Sequence, residues 1–197
     1  MNDLTFEEAD YQKGGDFYNS GKGWEPIATS YSSSNFSGTF DGNGYSISNL
    51  YINDSSNNYK ALFGKAYNAT IKNLTLKNVD IIGSSYVGGI CGYMDSSTIS
   101  GCIVSGKITG SLYVGGICGL SHIESTISNS SVAGEVGGLN YVGGICGYQG
   151  VTSTELKKYN HIDYCCNSSA VLAKSGYAGG ISGYTTSYYN YSNLPYY

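Results

Sequence analysis

Arginine is missing from the chain: all ten basic residues among its 197 are lysines. Charged residues reach only 12%, about half the usual share, and the formal charge of −4 gives no basic footprint. Without guanidinium groups for bidentate phosphate and base contacts, nucleic acid is set aside as a partner. Proline occurs twice, and Leu, Met, Glu and Lys are too scarce for long helices. No stretch approaches the roughly 18 consecutive apolar residues of a membrane span, so no membrane insertion is expected. The opening stretch, Met1 to Glu8, lacks the basic and apolar regions of a signal peptide. An export signal is therefore either missing or was removed when this stretch was cut from a longer chain.

What is abundant points one way. The chain holds 29 Gly and 21 Tyr, and with Ser, Thr, Ile and Val these supply turns and strands. We read an all-β chain.

One octapeptide recurs. Tyr86-Val87-Gly88-Gly89-Ile90-Cys91-Gly92-Tyr93 returns from Tyr113 to Leu120 and from Tyr141 to Tyr148, and again as Tyr177-Ala178-Gly179-Gly180-Ile181-Ser182-Gly183-Tyr184. The leading tyrosines are 27, 28 and 36 residues apart. The long interval places an exposed insertion near 149–160, where Glu155, Lys157 and Lys158 interrupt an uncharged pattern. Each unit has a second half, running from Thr70 to Leu76, from Thr98 to Val104, from Thr126 to Val132 and from His161 to Cys166. Short alternating strands in a repeat of this length make a coil of a parallel β-solenoid. A lone unit would leave its apolar face uncovered, whereas stacked units bury equivalent residues against one another. Ile90, Ile117, Ile145 and Ile181 are expected to form one core ladder, and Ile71, Ile99, Ile127 and Ile162 another. About seven coils are expected, spanning roughly 35 Å at the parallel-strand spacing. Residues 1–197 are taken as one domain: N-terminal coils over 1–58, repeats over 59–184 and a Tyr-rich segment over 185–197.

These units closely resemble the GLUG repeat of bacterial surface adhesins and of the non-catalytic N-terminal part of IgA-cleaving metallopeptidases. Upstream, Gly23-Trp24-Glu25-Pro26-Ile27 and the run from Phe36 to Leu50 are similar to the segment that precedes such repeats, so the resemblance covers about 20–184. It implies a right-handed parallel β-helix displayed outside the cell or on its surface; no cofactor is assigned. The metallopeptidase relatives cut with a His-Glu-x-x-His zinc motif. The two histidines here, His122 and His161, stand in no such setting, so protease activity is not carried over.

Cys91, Cys118 and Cys146 share one repeat position and are expected to stack as buried, reduced thiols. A disulfide or a metal site ranks behind, since Cys-x-x-Cys pairs and histidine partners are missing. Cys102 and Cys166 also share a register by their distance to the next tyrosine, and Cys165 with Cys166 reads as one buried and one exposed thiol. Tyr86, Tyr113, Tyr141 and Tyr177 should line one edge, with Tyr93, Tyr148 and Tyr184 near a turn. That edge either shields the coils or forms a binding face. Asp80, Asp95, Glu124, Glu135 and Asp163 fall at different repeat positions, so no catalytic carboxylate pair is assigned and the chain is read as non-enzymatic. Asp41-Gly42-Asn43-Gly44 is a tight turn before it is a calcium loop.

The expected role is a stalk or recognition segment of a bacterial surface adhesin, contacting a host or cell-surface protein or glycan. Neither terminus offers a clear polar cap, which suggests an excised piece of a longer surface protein. The alternatives are a structural protein whose open coils self-associate end to end into filaments, and a carbohydrate-binding or polysaccharide-active β-helix.

Overall fold

The computed structural model describes residues 2–29, 35–150 and 159–186. The chain winds as a β-solenoid of parallel strands with three faces. Face I holds nine strands, among them Phe63–Lys72, Cys91–Asp95, Thr98–Ser100, Cys118–Ser121, Thr126–Ser128 and Cys146–Gly150. Face II holds eight, including Thr75–Ile82, Ile103–Thr109, Ser131–Gly138 and Ala170–Ala173. Face III holds four, Ser85–Val87, Leu112–Gly115, Asn140–Gly143 and Ala178–Gly179.

These four strands mark about four full turns, not the seven expected. The difference lies at the N-terminal end. Leu4–Thr5 joins face II beside Ser46–Ser48, but Glu8–Tyr11 and Asn19–Gly21 are short 3₁₀ segments rather than strands. Their rings plug the end of the coil. Phe6 meets Phe17 at 4.9 Å, Tyr11 at 5.7 Å and Trp24 at 5.9 Å, and Trp24 Nε1 donates to the Leu62 carbonyl at 3.4 Å.

Equivalent residues stand side by side in the interior. Ile71, Ile99, Ile127 and Ile162 pair across face I. Ile90, Ile117, Ile145 and Ile181 follow one another through N–H to carbonyl bonds, from Ile90 N to Ile117 O and onward. All but the last of each set are fully buried; Ile162 is partly covered and Ile181 is 40% exposed. Ile181 therefore departs from the core expectation, because among the described residues no further turn packs on that side. Face II adds two ladders: Leu76, Val104 and Val132, which close the second half of each repeat, and Ile52, Ile81, Ile108 and Val136, which lie beyond the quoted repeat segments.

The corner between faces I and II is made by left-handed backbone rather than by a loop. Asn73, Gly101, Asn129 and Tyr164 turn face I into face II with φ between 49° and 62°. Asn and Gly suit such positions, since their cost there is lowest. The third glycine of each octapeptide serves another need. A Cβ on Gly119 would lie 2.6 Å from the Gly92 carbonyl oxygen and 2.7 Å from the Tyr86 carbonyl carbon. Only hydrogen fits between adjacent turns at that point.

Of the eight extra residues in the long interval, seven lie within 151–160: the pairing offset grows from 28 (Ile99 to Ile127) to 35 (Ile127 to Ile162). The eighth lies between Ala173 and Ala178, where the offset becomes 36. Most of the insertion expected near 149–160 and of the 185–197 segment falls outside the described residues.

Candidate functional site: the tyrosine edge

Three face III strands hold a tyrosine inside them, Tyr86, Tyr113 and Tyr141, with Tyr177 just before the fourth, and the pairing skips that residue: Leu112 pairs with Ser85 and Asn140, Val114 with Val87 and Val142. Tyr59, Tyr86, Tyr113 and Tyr141 all take left-handed φ, between 52° and 60°. For a bulky residue this costs about 1–2 kcal/mol. The kink keeps the flanking valines buried and turns each ring onto the same edge.

There the rings stack along the axis. Centroids are 4.7 Å apart for Tyr59 and Tyr86, 5.1 Å for Tyr86 and Tyr113, 5.3 Å for Tyr113 and Tyr141, and 5.5 Å for Tyr141 and Tyr177, with interplanar angles of 30° or less. Tyr93, Tyr148 and Tyr184 form a second column on face I strands, not at a turn. They meet the first column largely edge-on, as Tyr148 does with Tyr113 at 5.2 Å and 74°. Leu120 takes the place of a ring between Tyr93 and Tyr148. Lys65 Nζ sits 4.4 Å from the centroid of Tyr59, a cation–π contact. Burial raises the hydroxyl pKa of Tyr59, Tyr86 and Tyr113. For Tyr93 burial acts first, and the Asp95 charge adds to it. With ring faces covered by neighbours, the column offers ring edges and hydroxyls for contact.

A polar network flanks the column. Asp95 Oδ2 lies 2.9 Å from His122 Nδ1 on the next turn, and Asp95 Oδ1 accepts from Ser96 Oγ at 2.8 Å. The signal was present in the sequence as a separation of 27 residues, one turn. Tyr59, Lys65, Tyr67, Tyr93 and Asp95 border a shallow cleft of about 350 Å³ at this end of the edge.

The thiols lie elsewhere, inside face I. Cys91, Cys118 and Cys146 are fully buried and in register, and each donates to the carbonyl two residues on, at 3.1 Å for Tyr93 and 3.2 Å for Leu120 and Tyr148. Burial first, then the neighbouring thiols, push Cys118 well above its ordinary value, so it is a poor nucleophile or ligand. The expected pairing of Cys102 with Cys166 is corrected. Cys166 aligns with Ser131, while Cys165, one residue earlier, takes the level of Ser130 and Cys102. The added residue between Ala173 and Ala178 had offset the count. Cys165 is partly buried and Cys166 exposed. Asp41 accepts from the Asn43 N–H at 2.9 Å and from Asn73 Nδ2 at 3.0 Å, and pairs with Lys72 at 3.3 Å. That loop is an Asx turn. Among the described residues, no group of three or more His, Cys, Asp or Glu is placed to hold a metal ion.

Residues 9–106 match the family model of the N-terminal region of M26 IgA1-specific metallo-endopeptidases. Halomucin from Haloquadratum walsbyi is 40% identical over 92 residues, which is 46% of this chain and 1% of halomucin. The crystal structure of a candidate immunoglobulin A1 protease from Bacteroides ovatus superposes with a TM-score of 0.65 at 25% identity, over 75% of this chain and 46% of that one. The likeness is thus to part of each larger protein, and in the peptidase family to its N-terminal region. It agrees with the repeat resemblance read from the sequence.

Proposed function

We propose that this chain, related to the N-terminal region of the M26 metallo-endopeptidases, is a non-catalytic β-solenoid segment of an extracellular bacterial surface protein that recognises host or cell-surface material through its tyrosine edge. The stacked column supports this reading best. Five tyrosines over successive turns give a contact strip of fixed spacing at small entropic cost, since the rings are already held by one another.

Hydroxyl removal tests it. Microspheres coated with the protein should adhere to mucin-coated and epithelial surfaces, and the triple variant Tyr86→Phe, Tyr113→Phe, Tyr141→Phe should keep its fold and lose at least fivefold in adhesion. Adhesion equal to that of the triple variant, or none by the native protein, would leave the edge a purely structural feature.

Self-association is a second reading, favoured by the 40% exposure of Ile181 on the last described turn, where Ile90, Ile117 and Ile145 on earlier turns are fully buried. Exposed strand edges are templates for further pairing. The aromatic plug at the other end weighs against unlimited head-to-tail stacking, so this reading expects a dimer. Sedimentation between low and high micromolar concentration decides it.

A further inference from the structure

A cleft of about 600 Å³ lies away from the tyrosine edge, between the N-terminal segment and the outer side of face II. Tyr11, Tyr18 and Tyr51 supply aromatic walls. One is locked by hydrogen bonds: Tyr11 Oη donates to the Asn49 carbonyl at 3.0 Å and accepts from the Tyr51 backbone N–H at 3.2 Å, and its ring packs 5.3 Å from that of Tyr51. The amide wall is also fixed. Asn78 Nδ2 donates to Asn49 Oδ1 at 2.9 Å, and Asn49 Nδ2 donates to the Phe6 carbonyl at 2.9 Å. Glu8 and Asp80 border the same space, and among the described residues neither carboxylate forms an ion pair. Lys107, next to Asp80 on the adjoining strand, is turned instead to Glu135 at 3.3 Å.

We propose that this cleft binds a neutral sugar residue of a glycan chain, a contact separate from the tyrosine edge that goes beyond the reading above. Aromatic walls suit the C–H faces of a pyranose ring. Carboxylate oxygens accept its hydroxyl hydrogens in charge-assisted bonds, stronger than neutral ones. Side chains already fixed by hydrogen bonds lose little further freedom on binding. The volume falls in the ordinary range of small-ligand clefts. No lysine lines it, so an anionic sugar meets like charge and is rejected.

Titration of the whole chain with methyl glycosides of neutral hexoses and N-acetylhexosamines, followed by NMR, tests the assignment. Glucosamine and sialic acid serve as charged probes. A single sugar should saturate with a Kd on the order of 1 mM. Asp80→Ala and Tyr18→Ala should each weaken it at least tenfold, Asp80→Asn by less, and Tyr164→Ala not at all, with circular dichroism reporting that each variant is folded. Sialic acid should not compete. Absence of saturable binding by every neutral sugar overturns the proposal. Tighter binding of glucosamine than of its neutral counterpart overturns it in favour of a cation site. Sugar binding that survives both Asp80→Ala and Tyr18→Ala removes the cleft and leaves recognition standing elsewhere. Sugar binding intact in the triple tyrosine-to-phenylalanine protein while its adhesion falls separates the cleft from the edge; adhesion unchanged there overturns the edge reading and leaves the cleft standing.

Discussion

Tyr164 carries the left-handed backbone of a corner, φ 53°, yet its side chain is 89% exposed and, among the described residues, meets no other ring. On the preceding turns that corner is Asn73, Gly101 and Asn129, residues for which the conformation is cheap. Replacing Tyr164 by Asn should therefore stabilise the protein by about 1 kcal/mol, read as a higher urea midpoint. An unchanged or lower midpoint would mean that the exposed ring is held by something beyond the described residues. The ladder tyrosines pay for the same strain with stacking, which is why sequence alone did not reveal it: tyrosine is the last residue expected at positive φ. The octapeptide disclosed the glycines, but the close approach of Gly119 to the neighbouring turn became evident only from coordinates.

Alkaline pH acts on single residues too. Burial pushes the Cys102 thiol up to about 11 and the Tyr11 hydroxyl up to about 12. Unfolded, each group releases its proton near its ordinary value, 9 and 10. The unfolded chain thus loses protons first, and the stability these groups contribute is complete below pH 9 and declines as pH rises through 11 and then 12. Ser130 fills the Cys102 position on the next turn and donates to the Ser128 carbonyl at 2.8 Å, as Cys102 does to Ser100. Cys102→Ser should therefore fold, and its denaturation midpoint should fall less than that of the native protein between pH 9 and 11. Parallel pH profiles would remove Cys102 as a source of the effect.

At the scale of elements, the joint between the plugged end and the regular turns rests on a buried ion pair. Asp54 accepts from Lys60 at 2.9 Å, both side chains 5% exposed, with Lys22 at 3.4 Å and Asn57 Nδ2 at 2.9 Å from each oxygen. Burial alone would push the Asp54 carboxyl up, but these partners outweigh it and hold the carboxyl below its usual value. The folded pKa is depressed, so this stability is present above pH 3.8 and is lost as pH falls through the folded value. Asp54→Asn strands a buried ammonium and should cost about 3 kcal/mol, with part of the loss restored when Lys60→Met is added. A single variant within about 0.5 kcal/mol of the native protein, by urea denaturation, would show that water reaches Lys60. None of this was visible beforehand, because residues 1–58 lack the repeat that made later turns readable. Faces I and III and the start of face II were legible from their recurring motifs, whereas beyond Val104 the register shifts before Gly106 and the ladder of Ile81, Ile108 and Val136 hides.

The whole molecule behaves as a stack of near-equal units whose nearest neighbours supply most of the stability. Among the described residues its two ends differ, one sealed by aromatic rings and the other with Ile181 exposed. Fold class followed from the repeat because stacking forces equivalents together, while the number of turns did not, because the 3₁₀ segments near the N-terminus occupy chain that composition alone assigns to strands.

The constant register has a practical corollary. Cys118 and Cys146 occupy the same place on consecutive turns, 28 residues apart. Excising residues 118–145 would join Ile117 to Cys146 with its native geometry, yielding a rod one storey lower, by about 4.8 Å. Such a shortened protein should fold with the same far-ultraviolet dichroism and a lower melting temperature. Aggregation instead would reveal that the units are less interchangeable than their spacing suggests, and that height in this protein is not adjustable by the turn.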